Sequence, residues 1–227
     1  MQGHFNNALN YSLASTIKIS ITRTSFFYQY QLAMEFPPPR AVELVTAISE
    51  ILKERKETVA VSEAACGGLI SSYLVSVPGA SVWFYGGTMV YSLKSRLKLS
   101  GWESEDIDNY TGPSQNVALR LARNLRLELG ATYTLSETGY ASTPLATSDK
   151  DPDAASKTGD VYFGISAPNR DTSHVFNTGE TDRCRNMQLF ATKGLELLLQ
   201  ELQHRVEEEQ ASLPVGKKQK QTQRINE

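Results

Sequence analysis

The sequence predicts an α/β protein, a three-layer α/β/α sandwich on a mixed sheet of about five strands. Segments whose apolar residues recur every three or four positions alternate with short β-branched runs. Each helical segment also carries one apolar face, which in a layered fold docks on a sheet.

Pro37, Pro38 and Pro39 stop whatever precedes them, and Val42, Val45, Ile48, Ile51 and Leu52 then recur at helical spacing. Thr58 to Ser62 is a β-branched run that reads as a buried strand. Gly67-Gly68, followed by Leu69, Ile70, Tyr73 and Leu74, opens a helix that Pro78-Gly79 ends. A strand follows over Trp83 to Tyr91, then a short helix through Leu93, Leu97 and Leu99. Ser114 caps the next helix, whose stripe Val117, Leu121, Leu125 and Leu129 ends at Gly130, with Leu119 and Leu127 off the stripe. Ala131 to Thr138 reads as a strand, Thr143 to Thr158 as a polar loop, and Val161 to Ser166 and His174 to Asn177 as neighbouring strands. Met187, Phe190, Ala191, Leu195, Leu198 and Leu202 mark one face of a last helix.

A composition of 40 % hydrophobic and 21 % charged residues with a net charge of -2 sets up no field that attracts nucleic acid or an anionic membrane. Both are excluded as expected partners, and a small-molecule ligand has to be argued from a site. Cys66 and Cys184 are too few for a disulfide framework and lack zinc-site spacing, so reduced thiols and no metal are expected. No apolar run approaches the roughly 20 residues of a membrane span.

One domain over residues 37–205 follows, between a poorly ordered extension over 1–36 and a disordered charged tail over 206–227. Met1 to Ala33 contains no Asp or Glu, which a mitochondrial transit peptide shares, but only Lys18 and Arg23 are basic. A terminal extension fits better, and a start at Met34 is a further alternative. The expected location is the cytoplasm, with the mitochondrion as the alternative.

The sharpest local feature is Ser62-Glu63-Ala64-Ala65-Cys66-Gly67-Gly68, a strand end running into a helix. Glycines there let a ligand approach the backbone, and the N–H groups of a helix start favour an anion such as phosphate. Tight strand-to-helix packing is the plainer reading of the two glycines. A carboxylate at the mouth of a buried strand needs a partner or a task, which singles out Glu63.

The stretch VAVSEAACGGLISSYLVSVPGASVWFYGGTMVYSLKSRLKLSG resembles the signature of the CinA C-terminal domain family, the nicotinamide-mononucleotide amidohydrolases. There a strand and Glu-Ser-Cys-Thr-Gly-Gly-Leu precede Val-Pro-Gly-Ser-Ser, a Gly-Gly strand, Tyr-Ser-Asn and a lysine. TLSETGY and TGDVYFGIS resemble later strands of the family, and the likeness spans Val42 to Leu202.

The resemblance implies hydrolysis of the carboxamide of nicotinamide mononucleotide or a related pyridine nucleotide, without cofactor or metal, by a serine activated by lysine and assisted by tyrosine. Carried over by position, Ser81 matches the nucleophile, Tyr91 the tyrosine and Thr138 a strand-end threonine. The first-motif serine is replaced by Ala64, its threonine by Cys66, and the lysine by Arg96. A guanidinium is a permanent cation and a poor general base, so Lys94 becomes the candidate to assist Ser81 and Tyr91. Glu63, Cys66, Gly67, Gly68, Arg96, Thr138 and Arg183 form the expected substrate-binding set, with Arg183 or Arg185 in place of a displaced phosphate-binding arginine. The alternative is a catalytically inactive relative that binds a nucleotide or a protein partner through the same cleft. Homo-oligomerisation, with Leu119 and Leu127 as a second surface, is left open.

Overall fold

The computed structural model describes residues 36–144 and 151–212. The expectations for the N-terminal extension before Phe36, and for the tail past Ser212, lie outside the described residues. Within them the chain forms α1 (Pro39–Arg55), β1 (Val59–Glu63), α2 (Leu69–Val75), a 3-10 turn (Ala80–Val82), β2 (Phe84–Met89), α3 (Leu93–Leu99), α4 (Ser104–Asp108), α5 (Gln115–Leu129), β3 (Tyr133–Gly139), β4 (Asp160–Ser166), β5 (Asp171–Asn177) and α6 (Arg183–Ser212).

The predicted sandwich and its mixed five-stranded sheet are present, in the order β2-β1-β3-β4-β5. β1 runs parallel to both β2 and β3, while β4 and β5 add antiparallel. Neighbouring residues of β3 show the two faces. Leu135 belongs to the large core formed with α1, α2 and α6, whereas the Ser136 hydroxyl donates to the Ala118 carbonyl of α5 at 2.5 Å.

The chain leaves β1 through α2 to reach β2 on one side, and returns through α5 to reach β3 on the other. The strand order therefore reverses around β1, and the carboxyl ends of its strands flank a crevice of the kind that holds ligands in open α/β sheets.

Three features differ from the sequence reading. The buried side of α5 consists of Ala118, Leu121, Ala122 and Leu125, with Leu129 40 % and Leu127 82 % exposed. Small residues face the sheet because the backbone of α5 lies against Gly164 of β4. The last helix continues beyond Val206 to Ser212, where Arg55 and Arg205 both pair with Glu209. Finally, α4 closes an unanticipated turn, held by Asp106, which accepts from the Glu103 N–H and pairs with Arg120.

Candidate functional site

The turn after β1 was expected to offer backbone N–H groups to an anion, and the protein supplies that anion itself. Gly67 and Gly68 take φ of +65° and +98°, a left-handed region that favours glycine, and fold the turn back on the strand ends. Glu63, 1 % exposed, accepts from the N–H groups of Gly68, Ile70 and Ser71 at 3.0, 3.1 and 2.8 Å and from the Ser71 hydroxyl at 2.6 Å. It thus satisfies donors that the start of α2 would otherwise leave unpaired.

A second carboxylate, Glu137 of β3, is fully buried and accepts from the N–H groups of Ala64, Ala65 and Cys66 at 2.6, 3.1 and 2.8 Å. Burial pushes its carboxyl up to about 7, against the pull of the N–H donors and with the charge of Glu63 adding to the rise.

Glu63, Cys66, Gly67 and Gly68 therefore build and fill the turn rather than line an open pocket. Cys66 is completely buried, and burial together with Glu137 and Glu63 holds its thiol well above the ordinary range. A reactive thiol at this helix start is thereby excluded; the helix dipole acts on Cys66 less than desolvation does. Cys184, exposed at the start of α6, is the accessible thiol. A disulfide-exchange reagent should label one thiol per folded chain, Cys184, and a second only in denaturant; labelling of both in the folded protein would refute the packing described for Cys66.

An open cavity of about 240 Å³ lies beside this filled turn. Its walls come from the ends of β1 (Ala64, Ala65) and β3 (Thr138 to Ser142), the segment after β2 (Tyr91), α3 (Arg96), the approach to α5 (Tyr110, Pro113) and the first residue of α6 (Arg183).

Arg96 is 3 % exposed although it carries a permanent charge. Ser92 and Ser95 cap α3 reciprocally and so fix the helix that holds it. Its Nε donates to the Val90 carbonyl at 3.2 Å and its Nη2 to Thr138 Oγ1 at 3.0 Å. The guanidinium lies 5.0 Å from the Tyr110 ring centroid and 5.4 Å from that of Trp102. The third nitrogen, Nη1, is buried and has no acceptor.

Across the cavity Arg183 donates to the Tyr91 hydroxyl at 3.0 Å and to Ser142 Oγ at 3.1 Å. Behind this wall the Tyr140 hydroxyl donates to Asp151, which also pairs with Lys157 at 2.7 Å.

Tyr91, Arg96, Thr138 and Arg183 line the cavity together, while Ser81 and Lys94 do not line it. Ser81 is exposed in the turn before β2, whereas Tyr91 follows the strand, so a strand length of roughly 20 Å separates them. Lys94 is exposed on the first turn of α3, away from the face that buries Arg96. Arg185 is exposed and is not a lining residue. Ser142, Tyr110 and Tyr140 line the cavity without having been singled out; their segments carry no spacing that marks a site.

No lysine, histidine or carboxylate is among the lining residues, which leaves the hydroxyls of Tyr91, Tyr110 and Tyr140 as the lining groups able to exchange a proton. The walls instead provide two cations and several hydroxyls, a set suited to holding an anion.

A family model described as CinA C-terminal domain matches residues 41–202. A CinA-like protein of Myxococcus xanthus is 38 % identical over 158 residues, covering 68 % of this chain and 35 % of that protein. A CinA-like protein of Trichormus variabilis is 32 % identical over 161 residues, 70 % of this chain and 37 % of that protein. The chain thus spans about a third of the length of these relatives. Among solved structures, the competence/damage inducible protein CihA of Agrobacterium tumefaciens superposes with a TM-score of 0.65 at 23 % identity, covering 75 % of this chain and 99 % of that one. A CinA superfamily protein of Escherichia coli superposes with a TM-score of 0.63 at 20 % identity, covering 74 % and 94 %. At these identities the two structures show the shared fold.

Proposed function

Because the chain belongs to the CinA C-terminal domain family, we propose that it binds a small phosphate-bearing nucleotide, of the pyridine mononucleotide class its family resemblance implies, without hydrolysing the carboxamide. One observation carries the reading: Arg96 and Arg183 line the same cavity with no acidic side chain among the lining residues. A buried cation without a counter-charge is costly, and an anionic ligand offsets that cost. The volume of about 240 Å³ lies below the usual range for drug-sized ligands, which suits a mononucleotide or part of one better than a dinucleotide.

The amidohydrolase reading keeps one observation in its favour, the Tyr91 hydroxyl held in the cavity by Arg183. It requires Ser81 and Lys94 to reach a cavity that neither lines. The free thiols of Cys66 and Cys184 fit a reducing, cytoplasm-like compartment, and no helix among the described residues is long and apolar enough to cross a membrane.

The test is to titrate the full chain with nicotinamide mononucleotide while recording the melting temperature and ammonia release. Saturating nucleotide should raise the melting temperature by several degrees, Arg183→Gln should shrink that rise, and no ammonia should appear. Ammonia release abolished by Ser81→Ala would instead establish the hydrolase, and no rise with any pyridine mononucleotide would remove the nucleotide reading.

A further inference from the structure

We infer that the flank formed by α2, the 3-10 turn and β2 is an interface with a second copy of this chain, paired about a two-fold axis. The inference goes beyond the nucleotide reading and does not depend on what the cavity binds.

The thirty residues from Ala64 to Leu93 contain no Asp, Glu, Lys, Arg or His, in a chain of which 21 % is charged. Burial does not account for this, since about twenty of them reach solvent. The stretch builds one side of the molecule, because α2 and β2 are neighbours: a Cβ on Gly87 of β2 would stand 3.1 Å from the Ser71 hydroxyl of α2. Of the eleven exposed large apolar side chains among the described residues, five lie on it: Val75, Val82, Tyr85, Met89 and Tyr91. The outer sides of α1 and α5 instead carry charge, Arg40 and Glu43 on the one and Arg120 and Arg123 on the other.

β2 adds an open edge. It is the outermost strand of the sheet, and none of its residues is buried. The Val90 N–H turns inward to the Glu63 carbonyl at 2.7 Å, so by alternation Met89 and Gly87 point their N–H and C=O groups away from β1. A bulge leaves Tyr85 without a partner on β1. Exposed edges are commonly guarded by lysine, proline or another charge that repels a second strand. β2 carries none of these, whereas the opposite edge, β5, begins at Asp171, which pairs with Arg123.

The absence of charge favours a second copy over an unrelated partner. A two-fold interface sets each residue against the same surface of the other copy, so a charge near the axis meets its like. This flank has no charge to meet. A different protein is selected through complementary charge, which the flank does not offer. Depletion of charge with exposed Tyr and Met is the composition of an interface core, and about twenty residues approach what one side of a standard interface supplies, roughly 20–30. Tyr91, at the end of the strip, also lines the cavity, so the second copy comes to lie beside the cavity mouth.

Sedimentation of the unaltered full chain over about 1–100 µM tests the inference, with a reductant present so that the exposed Cys184 cannot cross-link copies. A species of twice the 25.1 kDa chain mass is expected. Tyr85→Glu and Met89→Glu, each of which brings its charge into the interface twice, should raise the dissociation constant by about a hundredfold or more. Leu127→Glu, on the exposed outer side of α5, should leave it unchanged. A monomer throughout the range overturns the inference, and so does a dimer that survives both β2 substitutions or that Leu127→Glu dissolves. The unaltered chain decides the first point without any variant, and circular dichroism separates loss of the dimer from loss of the fold in the others.

Discussion

Replacing Glu137 with alanine is expected to cost the fold on the order of 3–5 kcal/mol at neutral pH, measured by urea unfolding. The carboxylate is the acceptor for the N–H groups of Ala64, Ala65 and Cys66, which are themselves buried. Each donor left without a partner costs about 1–3 kcal/mol, and water entering the vacated space recovers part of it.

Glu137→Gln separates shape from charge. The amide oxygen can keep the bonds that Oε1 makes to Ala64 and Cys66, but its NH2 then faces the Ala65 N–H, a loss of about 1–2 kcal/mol where the carboxyl is neutral.

The pH dependence is opposite to that of a salt-bridged carboxylate. Because burial raises the folded value to about 7 from an ordinary 4.5, the folded protein holds a proton that the unfolded chain releases between those values. The stability associated with Glu137 is complete below about pH 4.5 and is lost as the pH rises through 7, by an amount on the order of 3 kcal/mol. His174, lowered by its partial burial, pulls stability the other way over part of that range. Subtracting the Glu137→Gln curve from the unaltered one isolates the carboxyl. Two parallel curves would show that Glu137 is ionised throughout and that its N–H donors outweigh its burial.

The second large effect is expected at Gly164, where Gly164→Ala should destabilise by about 3 kcal/mol. A Cβ there would stand 2.6 Å from the Ala118 carbonyl carbon, 2.7 Å from its oxygen and 2.7 Å from the Leu119 nitrogen. All three are backbone atoms of α5 and cannot turn aside as a side chain would. The helix must lift, and lifting it breaks the 2.5 Å bond from Ser136 to the Ala118 carbonyl. For a domain of this size the melting temperature should fall by roughly 6–12 °C. A fall of less than about 2 °C would mean that α5 does not rest on β4 as described.

Tyr91, Arg96, Thr138 and Arg183 were singled out by the family resemblance, whereas the layers and the strand order of appearance were legible in the sequence because they depend on periodicity and on an ordered series of turns. The face of α5 was not. A stripe stepping by four residues advances about 40° per step around a helix, so leucines aligned at Leu121 and Leu125 have rotated out to solvent by Leu129, and alanines take the closest contact.

Ser81 and Tyr91 are close in the chain but divided by β2, and only the direction of that strand tells which end each occupies. Glu63 looked like a site residue because a carboxylate at a strand mouth needs a task, and its task is to bind backbone donors. The same argument applied to Glu137 in the run TLSETGY would have found it, since an acid inside a buried strand must also have partners.

The filled turn also bears on what the cell's own solutes can do to this protein. Glu63 and Glu137 are ligands tethered to the backbone they bind, and a tethered group acts at an effective concentration far above that of ions in free solution. Inorganic phosphate and sulfate therefore gain no foothold at the turn, where an unfilled cradle of N–H groups would collect them. Competition from bulk anions is left to the two arginines next door, where the shape of the whole ligand, and not its charge alone, decides what stays.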